Sequence, residues 1–358
     1  MTRGGQLVVS DVPDPVPSSG HVVVRSLSAG ICGSDLHALA DFGHFTGLMD
    51  SVGVPALDAA ADCVFGHEFC AEIVDHGPDT AGTLPVGTRV CSVPIILGPT
   101  GVEQIGYSNA YPGALAEHMV LQELLLLPVP DSLDTDLAAL TEPLAVGEHA
   151  VGLAGLSPGQ PCLVVGCGPV GLAVIAALKG RGHGPVLAAD FSPTRRRLAE
   201  AFGADEVIDP AQGSPHDRWS DFGIARTVME RIGSAMLGGN APDPVIFEAV
   251  GVPGMLQSLI ADGPPHSRIV VVVHAHRHHR ALHGGDQGDG AALLLRVHAR
   301  RVRRHTGAPG RRGARSRPPG HLHRGPGRCP RRLRHSAHPG RARQDPGDAL
   351  ICRTVPAP

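Results

Sequence analysis

The stretch Cys162-Leu-Val-Val-Gly-Cys-Gly-Pro-Val-Gly171 decides the fold of the central part of this 358-residue chain. Its first four residues form a short apolar run that predicts a buried strand, and Leu172–Leu178 predicts a helix. Between the two, Gly166, Gly168 and Gly171 have the spacing G-x-G-x-x-G. A glycine-rich turn between a strand and a helix indicates a strand–helix–strand unit.

The context of this turn predicts a dinucleotide-binding site. A second predicted strand, Val186–Ala189, ends at Asp190, 24 residues after Gly166. In such a site the first glycine makes the tight turn, Gly168 lets the backbone approach the pyrophosphate, and the third glycine lets the helix pack on the sheet. Val170 lies in the same turn and is a further candidate contact. The helix N-terminus receives the phosphates through free N–H groups and its dipole. The alternative is a glycine-rich turn in an unrelated α/β protein.

Asp190 predicts NAD rather than NADP. A carboxylate here would accept hydrogen bonds from the ribose hydroxyls and repel a 2′-phosphate. The basic run Arg195–Arg197 opposes this prediction, because it could clamp a phosphate, but a solvated helix face is the favoured interpretation.

The rest of the chain divides at two changes of pattern. Strands and helices alternate over residues 151–273, which predicts an α/β domain with a doubly wound parallel sheet. Residues 1–150 show short strands, such as Val22–Leu27 and Phe69–Val74, separated by Pro and Gly, and predict a β-rich domain.

Three segments of the first domain carry possible zinc ligands: Gly30-Ile-Cys-Gly-Ser-Asp-Leu-His37, Gly66-His-Glu-Phe69 and Thr141-Glu-Pro143. A catalytic zinc has three protein ligands and one open position. Cys32, His67 and either Glu68 or Glu142 would satisfy that number. A lone Cys or His is more often a packing or surface residue, but this set, in this order before a dinucleotide motif, is specific.

With these motifs the sequence resembles the zinc-containing medium-chain dehydrogenases, which include alcohol, polyol, butanediol and threonine dehydrogenases. The resemblance extends from about residue 20 to residue 273 and implies a GroES-like catalytic domain followed by a Rossmann domain. It implies that Cys32 and His67 bind zinc, that Glu142 matches the third ligand, and that Glu68 can coordinate or approach the metal.

The resemblance also implies a reaction, in which hydride passes between a secondary alcohol or polyol and NAD while zinc acts as a Lewis acid. Asp35 would orient His67 through its other ring nitrogen. Ser34 would take the alcohol proton, and His37 would pass it to solvent. A zinc-free quinone reductase is disfavoured, because such relatives lack the ligand set.

One segment departs from the family. Many relatives bind a second, structural zinc through four closely spaced cysteines after the strand at Thr88–Val93, whereas Ser92–Gly113 contains no cysteine. We therefore expect one catalytic zinc and no structural zinc. The loop Pro94–Tyr111 contains Gly, Tyr and Asn instead, and is predicted to help shape the substrate cleft.

The composition changes abruptly after Val273. Residues 1–273 carry 12 Lys and Arg against 30 Asp and Glu, whereas residues 274–358 carry 19 Arg, no Lys and 4 Asp. The segment from Pro309 to Pro339 is mostly Arg, Gly, Pro and His and has no apolar periodicity, so residues 274–358 are predicted to be disordered.

The genetic code suggests that this tail is translated out of frame. Reading from the second base of each codon, Asp286–Ala291 permits Thr-Lys-Glu-Met-Glu-Leu, Val297–Val302 permits Tyr-Thr-Pro-Asp-Glu-Phe, and Gln344–Ala349 permits Lys-Ile-Leu-Val-Thr-Pro followed by a stop. All three share one offset and resemble family segments that are otherwise missing. The predicted consequences are an unpaired sheet edge near Val271, a catalytic domain without its closing strand, and loss of the dimer edge of the family's homo-oligomers. The product is therefore expected to be poorly stable and inactive, although the residues for zinc and NAD remain.

The alternative function is a non-catalytic NAD-binding protein whose basic tail binds nucleic acid. Nucleic-acid binding is disfavoured, because the tail has no aromatic residue for base stacking. The apolar runs are too short for a membrane span, no signal peptide is recognisable, and the scattered cysteines suggest no disulfide framework. A cytoplasmic enzyme acting on a small alcohol is expected.

Overall fold

The computed structural model describes residues 1–3, 6–51, 57–58, 60–99, 101–272, 293–296 and 352–353. The N-terminal part is built from nine strands and four helices. They are β1 (Thr2–Arg3), β2 (Gln6–Leu7), β3 (His21–Ala29), α1 (Gly33–Ala40), α2 (Phe42–Ser51), β4 (Phe69–His76), β5 (Arg89–Ser92), β6 (Ile95–Gly98), β7 (Gly101–Gln104), β8 (His118–Gln122), β9 (Leu126–Pro128), α3 (Thr135–Ala138) and α4 (Thr141–Ala154).

The longest strand, β3, organises the N-terminal sheet. It pairs antiparallel with β4 on one side and with β8 on the other, and the sheet continues through β5 to β9. Val22 and Val24 are fully buried, whereas Arg25 on the opposite face is exposed, as expected for a strand with one face on a core. The β-rich first domain is thus confirmed.

The central part follows with alternating strands and helices. They are β10 (Cys162–Val165), α5 (Pro169–Gly180), β11 (Val186–Ala189), α6 (Pro193–Ala201), β12 (Glu206–Ile208), α7 (Val228–Met236), β13 (Val245–Glu248), α8 (Met255–Asp262) and β14 (Arg268–Val271), and two short strands complete the elements, β15 (Leu293–Arg296) and β16 (Cys352–Arg353).

The central sheet has the order β12-β11-β10-β13-β14-β15, and its first five strands are parallel. Alternate residues of β10 enter different cores: Cys162 and Val164 face one cluster, Leu163 and Val165 the other. Burial on both faces explains why this strand is a continuous apolar run rather than an alternating one. Full burial of a side chain such as Leu163 contributes about 2 kcal/mol. The predicted doubly wound parallel sheet is confirmed.

The expectation of an unpaired edge at Val271 is wrong. Leu293–Arg296 pairs antiparallel with β14 and places Leu293 opposite Val271. Cys352–Arg353 pairs likewise with the end of β3, so the first sheet also has a short strand from the C-terminal region. The Ala-Ala-Leu-Leu-Leu run at residues 291–295 is apolar enough for an edge strand, which the composition of the tail as a whole concealed. The rest of the predicted disordered tail lies outside the described residues.

Within the described chain, no helix is long and apolar enough to cross a membrane. Six cysteines there are free thiols: Cys32, Cys63, Cys70, Cys91, Cys162 and Cys167.

A buried histidine fixes the single tryptophan of the chain beneath the parallel sheet. Trp219 is fully buried, and its indole N–H donates to His216 Nδ1 at 3.0 Å. Burial lowers the pKa of His216 below its usual value, with the nearby acids Asp262 and Asp217 opposing it. The neutral ring is therefore the form that the fold requires, because a protonated Nδ1 could not accept from the indole.

This contact predicts a loss of stability in mild acid. Since the folded pKa of His216 lies below the unfolded value of about 6.5, the unfolded chain takes up the proton first, and stability falls as pH drops through 6.5. We expect urea unfolding, followed by Trp219 fluorescence, to show a smaller loss between pH 7.5 and 5.5 in His216→Asn than in the wild type. Asparagine can still accept from the indole but does not titrate, so an equal loss in both proteins would contradict the assignment.

Candidate metal and dinucleotide site

The register of β3 against β4 brings two of the predicted ligand segments together. Ala29, the last residue of β3, pairs with Phe69, the first of β4, and the N–H of Gly30 donates to the carbonyl of Glu68 at 2.8 Å. Cys32 follows two residues later as the N-cap of α1. The segment after β3, which contains Cys32, therefore meets the segment before β4, which contains His67 and Glu68.

Three donor atoms converge there. The Sγ of Cys32, a ring nitrogen of His67 and a carboxylate oxygen of Glu68 all lie within 4.8 Å of one another, and no other such group of three occurs among the described residues. Donors of a tetrahedral zinc are separated by about 3.5 Å, given zinc–ligand bonds of about 2.0–2.3 Å. The set thus fits zinc in both chemistry and spacing.

Glycine at position 30 makes room for the carboxylate. A Cβ built on Gly30 would overlap Glu68 Oε2 and come within 3.0 Å of Glu68 Cβ, whereas one on Gly33 would meet nothing within 4 Å. Only a residue without a side chain at position 30 lets Glu68 turn toward Cys32.

Asp35 lies beside the imidazole of His67. Its Oδ1 is 3.5 Å from His67 Nδ1, and its Oδ2 accepts from the Cys32 N–H at 3.0 Å. Both Asp35 and His67 are about 4% exposed. With Nδ1 directed to a carboxylate, the other ring nitrogen is left to face a metal.

The surroundings of the imidazole stabilise positive charge. Burial alone would lower the pKa of His67, but its contacts with Asp35 and Cys32 outweigh burial and raise it to about 10. Burial also opposes ionisation of Asp35, yet its contacts with His67, Tyr107 and the Cys32 N–H hold its pKa below the usual value. A divalent cation would supply the charge that this arrangement favours.

The predicted ligand Glu142 lies close to this cluster but outside the group of three. It sits in the first turn of α4, whose middle packs on α5 at Gly147. Burial raises its pKa, and the charges of His67 and Glu68 also act on it. Burial likewise raises the pKa of Glu68. Two desolvated carboxyls thus flank one imidazole.

Ser34 and His37 lie on α1, one helical turn apart, with Ser34 partly buried and His37 exposed. The oxygen of Ser34 is 2.7 Å from the hydroxyl of Tyr107, which also donates to Asp35 Oδ1 at 2.8 Å. Tyr107 is the functional candidate that the sequence missed. Its loop was expected to shape the cleft, but nothing in the pattern indicated a contact with residues more than 70 positions earlier.

At the dinucleotide motif, Gly166 and Gly171 lie where a side chain would clash, and Gly168 borders open space. Gly166 has φ +91°, and a Cβ there would come within 3.0 Å of Ala249 and Val250. A Cβ on Gly171 would overlap the carbonyl oxygen of Gly166, so only glycine lets α5 approach the strand this closely. A Cβ built on Gly168 would come no closer than 3.9 Å to its nearest neighbour, the Arg195 guanidinium. This leaves space beside the N-terminus of α5. Val170 is half-buried and packs against the core.

Asp190 turns back toward the same turn. Its two carboxylate oxygens accept the N–H groups of Cys167 at 2.8 Å and Ser192 at 2.7 Å. The guanidinium of Arg195 lies 3.7 Å from it. The carboxylate is therefore fixed at the carboxyl end of β11, beside the space at Gly168.

The solvated face expected for Arg195–Arg197 is wrong for Arg196. Its side chain is 18% exposed and forms an ion pair with Asp209 at 3.0 Å, and it donates to the carbonyl oxygens of Asp190 and Phe191. The half-buried Asp209, just beyond the end of β12, explains this orientation.

Comparison with known proteins agrees with this geometry. Residues 18–131 match the alcohol dehydrogenase GroES-like domain and residues 169–278 match the zinc-binding dehydrogenase family. The chain is 32% identical over 260 residues to (R,R)-butanediol dehydrogenase of Bacillus subtilis (strain 168), covering 70% of each protein. It is 28% identical over 274 residues to sorbitol dehydrogenase of the same strain, covering 72% of this chain and 70% of that one.

A solved structure described as a zinc-binding dehydrogenase from Sinorhizobium meliloti 1021, bound to NADP, superposes with a TM-score of 0.61 at 25% identity. The superposition covers 77% of this chain and 76% of that one. Two matched domains, a long alignment above 30% identity and the convergent donor set lead to one conclusion: the chain belongs to the zinc-dependent medium-chain dehydrogenase family.

Proposed function

We propose that this protein is an oxidoreductase that transfers hydride between a secondary alcohol or polyol and NAD at a single zinc. The observation that carries the proposal is the convergence of Cys32, His67 and Glu68, backed by Asp35, in a chain that also has a complete dinucleotide turn. The names of its relatives, butanediol and sorbitol dehydrogenases, support the substrate class.

Zinc would be held by Cys32, His67 and Glu68, with Glu142 near enough to compensate its charge, and would supply Lewis acidity toward the substrate oxygen. The nicotinamide, when bound, supplies the hydride acceptor. Ser34 accepts the alcohol proton and releases its own, which His37, exposed one turn along α1, passes to water.

NAD is the proposed cofactor because Asp190 presents a carboxylate at the end of β11, where it would bind ribose hydroxyls and repel a 2′-phosphate. Arg195 would attract a 2′-phosphate and so favour NADP, but its guanidinium lies 3.7 Å from the Asp190 carboxylate. The ion pair lowers the attraction that Arg195 could offer a phosphate.

A single catalytic zinc without a structural one is part of the proposal, because residues 92–113 contain no cysteine. The six free thiols support a reducing compartment such as the cytoplasm.

That residues 274–358 are translated out of frame is a separate proposal. It rests on the three segments that share one reading offset and on the change of charge at Val273. In the part of the C-terminal region that the structure describes, Leu293–Arg296 pairs with β14 and Cys352–Arg353 pairs with β3.

The activity is tested first by metal content. We expect about one zinc per chain in the purified protein and NAD-dependent oxidation of 2,3-butanediol or sorbitol, slower with NADP. Cys32→Ala should lose the zinc and at least about 100-fold in kcat/KM, because one of three ligands is gone. Its NAD affinity, followed by Trp219 fluorescence, should stay within about twofold of the wild type. NAD binding without zinc in the wild type would support the non-catalytic alternative instead.

The identity of the third ligand is tested at Gly30. Gly30→Ala should push the Glu68 carboxylate away from Cys32 and weaken zinc binding by about 10–100-fold, measured by competition with a chromophoric chelator. Gly33→Ala, whose new methyl group meets nothing within 4 Å, is the matched control and should bind zinc like the wild type. Unchanged affinity in Gly30→Ala would assign the third position to Glu142.

The frame proposal predicts one extra base, or two missing bases, near the Val273 codon when the gene is resequenced. The frame-restored protein should unfold about 5 °C or more above the present chain, because both sheets regain longer edge strands, and it should form the family's homo-oligomer. Thermal unfolding and light scattering of the two proteins measure this. A confirmed reading frame, with equal melting temperatures for both proteins, would refute the proposal.

A further inference from the structure

Tyr107 contacts three residues of the proposed zinc and proton-transfer machinery. Its hydroxyl is 2.7 Å from Ser34 Oγ and 2.8 Å from Asp35 Oδ1, and its ring centroid is 5.1 Å from that of His67. The side chain is 3% exposed. A single side chain from a distant loop thus joins the metal ligand to the proton acceptor.

Contact between two glycines places the tyrosine there. Gly66 and Gly106 both have positive φ, and a Cβ on Gly106 would lie 3.0–3.1 Å from the backbone of Gly66. The residues that follow them, His67 and Tyr107, are consequently set side by side. The loop is held further by the N–H of Ile105, which donates to the carbonyl of Pro94 at 2.9 Å.

The phenol has one proton for two oxygen neighbours, and this fixes the direction of both hydrogen bonds. The carboxylate of Asp35 only accepts, so the phenol donates to it, and the Ser34 hydroxyl must then donate to the phenol oxygen. The Ser34 hydroxyl is thereby oriented so that its lone pairs can accept a hydrogen bond from the substrate alcohol. On proton transfer Ser34 gains the alcohol proton and releases its own, which His37 passes to solvent.

A packing role alone does not account for the hydroxyl. The ring of Tyr107 packs at an angle against Phe45 and edge-on against Phe65, with centroid distances of 4.7 and 5.8 Å, in a cluster of apolar side chains. Phenylalanine would fill that space equally well. The hydroxyl adds only the two polar contacts, and both go to residues of the proposed site.

We propose that Tyr107 is a positioning residue, which holds Asp35 against the proposed zinc ligand His67 and orients the Ser34 hydroxyl to accept a hydrogen bond from the substrate alcohol. The second half of this inference rests on the proposed dehydrogenase function, whereas the first half needs only the metal site.

The test compares the only two tyrosines of the chain in the full-length protein. Tyr107→Phe removes the hydroxyl and keeps the ring, and Tyr111→Phe is the matched control from the same loop. Zinc affinity, measured by chelator competition, should fall about 3–30-fold in Tyr107→Phe and stay within about twofold in Tyr111→Phe. Equal zinc affinity in Tyr107→Phe and the wild type would overturn the positioning of His67 through Asp35.

Kinetics test the part that concerns Ser34. Tyr107→Phe should lower kcat while the KM for NAD stays unchanged, and the same substitution should have less effect in a Ser34→Ala background. Additive effects would overturn this part. A wild type that binds zinc without oxidising any alcohol would refute the proposed function, and the zinc-affinity comparison would still decide the role of Tyr107.

A second measurement covers the case in which Tyr107→Phe does not fold. In Tyr111→Phe protein labelled with 3-fluorotyrosine, only Tyr107 carries the label, and the fluorine makes its hydroxyl a stronger donor. We expect the zinc affinity to change by more than about twofold relative to the unlabelled protein, because Asp35 accepts this hydrogen bond. No change would contradict the inference.

Discussion

The pairing of Ala29 with Phe69 is the constraint on which the candidate centre depends. It aligns the ends of two antiparallel strands, so that the residues just beyond them, Cys32 on one side and His67-Glu68 on the other, share one small volume. A shift of one residue would move every side chain of a strand to the opposite face. The buried Val22 and Val24 therefore hold the metal donors in place indirectly, because they lock the register of the sheet that carries them.

Glycines determine how closely the remaining parts approach. Gly66 and Gly106 meet back to back beneath the metal site, and Gly171 lies against the carbonyl of Gly166 at the dinucleotide turn. In each case the glycine precedes or flanks a functional group: His67, Tyr107 or the N-terminus of α5. A methyl group on Gly66 or Gly171 would lie too close to backbone atoms for packed neighbours to yield, and one on Gly106 would force its neighbours to shift.

Sequence patterns were informative wherever chemistry and local structure coincide. Gly166–Gly171, the apolar β10 and Asp190 form a contiguous strand–turn–helix context, and the parallel sheet followed from it. A candidate ligand set could be proposed because Cys32 and His67 occur in recognisable segments. The role of Tyr107 could not be predicted, because it depends on a contact with Asp35, 72 positions earlier, which no local sequence pattern indicates. The strand at Leu293–Arg296 was not predicted for another reason: its three leucines suffice for a short edge strand, but the composition around them indicated a tail without structure.

The candidate site residues and the strands that extend the two sheets lie in different parts of the chain. All the donors and proton-transfer candidates, from Cys32 to Glu142, and the entire dinucleotide turn lie before Val273, whereas the strands that pair with the open ends of both sheets come after it. Edge pairing contributes backbone hydrogen bonds and protects apolar strands such as β14, but it places no ligand atom. A change confined to the C-terminal region should therefore act on stability and assembly first, and on metal and cofactor binding only through the fraction of molecules that stay folded.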